Sequence, residues 1–360
     1  MKLLWSIIRM LDILYQPVQL GALSLSNAIV MAPMTRDRAG PDDVPTDLMV
    51  EYYRQRASAG LIITEGTQPS AAGKGYWRTP GIWSKEQVAG WHKVADAVHD
   101  RGGKIVMQLM HCGRVCVIAN KQDASDVVAP SAIPCADLVP GPDGVPVPTA
   151  MPRALTLDEV RNVVDEYAQA AKNAREAGMD GVELHCASGY LPNQFLNPRS
   201  NKRTDHYGGP VENRIRFVIE VLTAMSQAIG ADRVGFRISP GNPYNDMADD
   251  DPKASFGPLL RAADTIGLAY VHLVDVGDML RFVRDNWTGS IITNNNLKAQ
   301  SAADILVSNI AQAVSFGRPF ISNPDFVERT RHRVELSRID REHIYTGEAV
   351  GYTDYPAAVV

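Results

Sequence analysis

The chain has 360 residues, 45% of them hydrophobic and 21% charged, with a formal net charge of −5. That is ordinary globular composition, and with no basic block it excludes a nucleic-acid binder of the usual electrostatic kind. Four cysteines, Cys112, Cys116, Cys135 and Cys186, form no CxxC pair, so no metal site is expected and a reducing, cytoplasmic setting is.

The first ten residues, MKLLWSIIRM, hold one short apolar run with a Lys and an Arg. The run is too short to span a bilayer and lacks a small-residue cleavage site. Residues 1–10 therefore read as a leader outside the fold, and 11–360 as one folded unit with no membrane contact. Apolar runs follow at Ala28–Met34, Leu61–Glu65, Lys104–Met110, Gly181–His185, Arg233–Ser239, Tyr270–Val276, Ser290–Thr293 and Ala313–Phe316. They are mostly rich in Val, Ile and Leu, as buried parallel strands are. Helix-like stretches lie between and after them at 47–59, 86–101, 157–177, 211–229, 255–266, 277–286, 299–309 and 324–335. Thr156 and Glu159 form a capping box for the third, and Gly178 stops it. This alternation predicts an α/β fold, a (β/α)8 TIM barrel. A doubly wound sheet would place a Gly-rich turn after the first strand, which instead runs into Pro33-Met34-Thr35-Arg36. Residues 111–155, rich in Pro and Gly, form a long excursion after strand three, of the kind that makes a lid or a substrate wall.

Barrel chemistry sits at the C-terminal ends of the strands. Those ends carry Thr35, Glu65-Gly66-Thr67, Gln108, Met110, His111, His185, Arg237, Asn294-Asn295-Asn296 and Gly317-Arg318. The last two groups follow strands seven and eight, where barrels hold a phosphate on backbone N–H groups. The stretch ELHCASGYLPNQFL (183–196) sets His185, Ser188 and Tyr190 within six residues. It reads either as core packing with a polar turn, or as a site that binds a carbonyl and moves a proton.

The segments MAPMTR (31–36), ITEGTQ (63–68), HCASGYLPNQFLNPRSNKRTDHYGG (185–209), FRISP (236–240), SFGRPFISNPD (315–325) and GYTDYP (351–356) resemble the Old Yellow Enzyme family. The N-ethylmaleimide-reductase and nitrate-ester-reductase branch is the most similar. The resemblance implies an FMN-containing ene-reductase driven by NAD(P)H in a ping-pong cycle. Activated alkenes would be its substrates: enones, enals, maleimides or nitroalkenes, with nitrate esters also fitting. It assigns Pro33, Met34 and Thr35 to the flavin, with Thr35 donating to O4. Gly66 packs against the ring, Gln108 meets the pyrimidine edge and Arg237 lies beside N1 and O2. Asn295, Gly317 and Arg318 take the phosphate. His185 and the residue three positions on polarise a substrate carbonyl, and Tyr190 protonates the α-carbon. Tyr76 and Tyr345 match aromatic positions of the substrate pocket.

The sequence departs from the family's pattern in places. Ser188 stands where the family has His or Asn, and its shorter side chain supplies one hydrogen-bond donor. Met110 stands at the pocket wall where Trp is frequent, and the loop Asp275–Leu280 is short. Two other readings stay open. One is a phosphate-binding aldolase or isomerase barrel, for which Glu65 is the only obvious base. The other is a flavin-binding protein with altered turnover. A monomer or a homodimer fits equally well.

Overall fold

The computed structural model of the protein describes residues 11–121, 123 and 125–358; the proposed leader lies outside them. Eight parallel strands close into a barrel in simple chain order. They are β1 (Ile29–Met31), β2 (Leu61–Ile63), β3 (Ile105–Leu109), β4 (Gly181–Cys186), β5 (Val234–Ile238), β6 (Tyr270–Val274), β7 (Ile291–Asn294) and β8 (Ala313–Phe316). β8 pairs back onto β1 through Val314–Ile29, Ser315–Val30 and Phe316–Met31. Each strand coincides with a predicted run, because each is buried on both faces and needs continuous apolar character.

The outer helices follow the prediction with shifted ends, as over Asp47–Gln55, Lys85–His99 and Leu157–Glu176. The third is capped as expected: Glu159 N–H donates to Thr156 Oγ1 at 3.3 Å, and Thr156 N–H to Glu159 Oε2 at 2.8 Å. Gly178 closes it at φ 85°, a conformation that favours glycine. The stretch 211–229 divides at Ile215 into Val211–Arg214 and Arg216–Ile229.

Three features were not legible in the run pattern. A short hairpin, Val18–Leu20 with Leu23–Leu25, lies across the lower end of the barrel. Its Leu20, Leu23 and Leu25 join Val30, Leu61, Ile63, Val106, Ile292 and Ala313 in one apolar plug inside the lumen. The excursion folds on itself through a hairpin, Leu138–Pro140 with Pro146–Pro148, and a parallel pair, Val128–Ala129 with Arg153–Ala154. Residues 343–352 return across the upper face, held by Arg36 and Arg38. Arg36 Nη2 donates to Gly351 O at 2.7 Å, and Arg38 Nη1 to Ile344 O at 2.8 Å.

Candidate active site

β4 delivers the stretch ELHCASGYLPNQFL (183–196) to the upper face. Glu183 and His185 alternate with the outward Val182 and Leu184, so both side chains turn into the lumen. After Cys186 the chain turns through two consecutive left-handed residues, Ser188 at φ 55° and Gly189 at φ 83°, into a short helix, Leu191–Leu196. Ser239 Oγ accepts from Ser188 N–H at 2.9 Å, and Asn245 Nδ2 donates to Ser188 O at 2.8 Å. The turn is thus clamped from the loop after β5.

That turn brings Tyr190 back against His185, with ring centroids 4.6 Å apart and the planes at 68°. The Tyr190 hydroxyl lies 3.1 Å from the Tyr76 hydroxyl. Burial raises the Tyr190 phenol well above its usual pKa of 10, so it remains protonated. Burial also pushes the His185 imidazole well below its usual value, helped by the nearby Arg237 and His272. His185 Nδ1 is buried with no protein partner. A neutral imidazole with a free ring nitrogen beside a protonated phenol can hold an oxygen and give up a proton on adjacent atoms.

The other sequence-assigned residues surround this pair. A Cβ added at Gly66 would lie 2.4 Å from the Met110 sulfur, so a side chain there would have to displace the end of the Met110 side chain. Met110 is only 2% exposed and packs with Cys112, Val115, Val139 and Tyr190, so the excursion backs the tyrosine as a wall. Arg237 has a buried Nε without a protein partner. Gln108 Nε2 donates to Glu183 Oε1 at 2.8 Å, which leaves the amide oxygen free. Pro33, Met34 and Thr35 are half-buried at the end of β1, with the Met34 sulfur 3.4 Å from where a Gly317 Cβ would be. Asn295 and Asn296 have φ of 146° and 52°. They line, with Asn294, Gly317 and Arg318, a cavity of about 410 Å³ between the ends of β7 and β8. Asn294 Oδ1 there is buried and unpartnered. Tyr345, 57% exposed, stands on the returning segment near Arg318 and Asp37.

Two strand-end residues take structural places instead. Glu65 is 1% exposed and accepts from Arg36 N–H and the Tyr53 hydroxyl, both at 3.3 Å. His111 is buried among the excursion residues, and burial lowers its pKa to about 3. Sequence reasoning missed Glu183, His272 and Ser315, the clamp formed by Ser239 and Asn245, and Tyr244, which is 56% exposed and interacts with Tyr76. A charged residue inside an otherwise apolar strand was the available signal for Glu183.

Asp37 was missed as well. It has φ 56°, and its Oδ1 is buried without a partner beside Glu65. Burial, then Glu65, raises its pKa to about 8, and burial raises Glu65 to about 7. Both folded values exceed the unfolded carboxylate values of about 4. The folded state therefore holds extra protons between pH ~4 and ~8. The stability this provides is full below pH ~4 and is lost as pH rises through 7 to 8. Asp37→Asn should flatten this decline and raise the melting temperature at pH 9; an unchanged Tm–pH slope would contradict it.

The residues present suit flavin mononucleotide: an orphaned guanidinium, an amide with a free oxygen, and an Asn- and Gly-lined cavity where a barrel takes a phosphate. Fold and site together define a flavin-dependent oxidoreductase barrel. The chain belongs to the NADH:flavin oxidoreductase / NADH oxidase family, whose model matches residues 13–337, and to its Old Yellow Enzyme homologues. It is 41% identical over 358 residues to the "probable flavin mononucleotide-dependent alkene reductase" of Leishmania infantum, covering 96% of this chain and 98% of that one. Among solved structures, morphinone reductase superposes with a TM-score of 0.91 at 44% identity, covering 96% of each chain. The Old Yellow Enzyme homologue of Zymomonas mobilis gives 0.92 at 39% identity, covering 95% and 99%.

Proposed function

We propose that the protein is an NAD(P)H-dependent ene-reductase that reduces activated C=C bonds of enones, enals, maleimides or nitroalkenes. The observation that carries this reading is the neutral His185 set 4.6 Å from the protonated Tyr190 at the end of one strand. Bound FMN supplies the hydride at N5. Thr35, Gly66, Gln108 and Arg237 hold its ring, and Asn295, Gly317 and Arg318 its phosphate. His185 donates a hydrogen bond to the substrate oxygen and so draws electron density from the β-carbon. The same bond strengthens as negative charge develops on that oxygen, as in an oxyanion hole. Tyr190 gives its proton to the α-carbon. The aldolase reading loses its base, since Glu65 is occupied by Tyr53 and Arg36. Four buried, free cysteines support a reducing cytoplasmic setting, and no helix among the described residues is long and apolar enough to cross a membrane.

The test is anaerobic titration of the purified yellow protein, first with NADPH or NADH and then with cyclohexenone. Bleaching followed by reoxidation is expected. Bleaching with no reoxidation by any activated alkene would overturn the reading in favour of a flavoprotein with other turnover.

Ser188 refines the prediction. Serine is uncommon in the left-handed region, which Asn enters more readily. Ser188→Asn should therefore stabilise the turn by up to about 1 kcal/mol. It should also raise the rate of enone reduction, with FMN content and reduction by NAD(P)H unchanged. Slower turnover by a folded, FMN-loaded variant would mean that serine leaves room for a bulkier substrate.

A further inference from the structure

Below the candidate active site, the lumen holds a buried carboxyl group that the mechanism does not use. Glu183 is 0% exposed. Its Oε1 accepts from Gln108 Nε2 at 2.8 Å, and its Oε2 lies 2.9 Å from His272 Nδ1. His272 Nε2 lies 2.8 Å from Ser315 Oγ. These contacts run from β3 to β4, skip β5 to reach β6, and skip β7 to reach β8, so they cross the lumen. Burial pushes the His272 imidazole down, against the pull of Glu183, so it carries one ring proton. With that proton on Nδ1, His272 donates to Glu183 and accepts from the Ser315 hydroxyl. Glu183 then accepts on both oxygens, as a carboxylate does.

The layer beneath is the apolar plug, and an apolar replacement of a buried ion is frequently neutral or stabilising. Stability alone therefore gives little reason for a charge here. Its position gives another. Gln108 and Arg237 are the two lumen residues assigned to the flavin ring; Glu183 bonds the first, and on the neighbouring strand it pairs with Gly235, two residues before the second. Of the groups that offset the desolvation of Arg237, Glu183 is the strongest.

We propose that Glu183 is a positioning residue that sets the midpoint potential of the flavin. It fixes the Gln108 amide with its oxygen outward, and its negative charge offsets part of the field that Arg237 directs at the ring. The proposal rests on the assignment of Gln108 and Arg237 to FMN. Reduced flavin carries negative charge near N1, so a fixed cation favours it and a fixed anion below that cation opposes it. The chain through His272 to Ser315 locks the carboxylate in place.

The experiment is the midpoint potential of Glu183→Gln holoenzyme, measured at pH 7 by equilibration with a reference dye. The amide keeps the shape and removes the charge. The expected result is a positive shift, with the preference for reduced over oxidised FMN rising about tenfold, or ~30 mV for a two-electron couple. A merely structural Glu183 would lower FMN content or Tm and leave the potential of retained FMN where it was. That outcome, or a negative shift, overturns the proposal. If the Gln variant does not fold, Glu183→Asp serves, because it withdraws the carboxylate from Gln108 by one methylene. It should move the N3 resonance of bound ¹⁵N-labelled FMN and raise the potential, and no movement in either overturns the proposal. A wild-type protein that binds no FMN would overturn the flavin assignment and this inference with it. An unmoved potential overturns this inference alone.

Discussion

Tyr190→Phe is expected to slow alkene reduction by ~10²–10⁴-fold, the usual cost of losing a general acid. Reduction of the flavin by NAD(P)H should be nearly unchanged, because that half of the cycle needs no proton at this position. Burial keeps the phenol protonated. The Tyr76 hydroxyl, 3.1 Å away, can donate to the phenolate oxygen left behind. The phenylalanine ring keeps the 4.6 Å contact with His185, so substrate binding should survive. Stopped-flow measurement of each half-reaction separates the two effects. Equal slowing of both would make Tyr190 a packing residue.

The second large effect is on stability. Tyr352→Ala should cost ~3–5 kcal/mol, the range for truncating a buried aromatic side chain. Tyr352 is 0% exposed and stacks on Tyr52 at 4.2 Å with the planes 6° apart. The guanidinium carbons of Arg36 and Arg38 lie 5.0 and 4.8 Å from its ring centre. Removing the ring takes away a surface on which two buried cations rest. Residues 343–352, including Tyr345 at the site, should become sensitive to protease, and the melting temperature should fall by several degrees. Tyr352→Phe supplies the control. The Tyr352 hydroxyl is buried without a partner, so its loss should be neutral or stabilising. A Phe variant as unstable as the Ala variant would show that the hydroxyl, not the stack, holds the segment.

The barrel was legible because its signal is one-dimensional. Fully buried parallel strands leave unbroken Val, Ile and Leu runs, and all eight fall where those runs lie. His185, Tyr190 and Arg237 were legible as polar groups at or near the ends of such runs, and the family resemblance supplied their roles. The rest depends on distance across space. His272 looks like one imidazole in an apolar strand until the lumen brings it to Glu183 and Ser315. Nothing near Arg36 in sequence announces the ring of Tyr352. The turn was legible, but its left-handed start at Ser188 was not, because serine enters that region less readily than Gly or Asn.

The returning segment also has a consequence in time. Arg36 finds its acceptor at Gly351, 315 residues further along the chain, and β1, paired with β2 on one edge, finds the partner for its other edge only in β8. At synthesis rates of roughly 5–20 residues per second, about 15–60 s separate the two ends. Until β8 emerges one edge of β1 stays unpaired, and until the last residues emerge two arginines destined for burial lack the carbonyls of residues 343–351 and the ring of Tyr352. The barrel therefore cannot close before most of the chain has been made, and the edge left open until then is an unpaired strand of the kind that invites association.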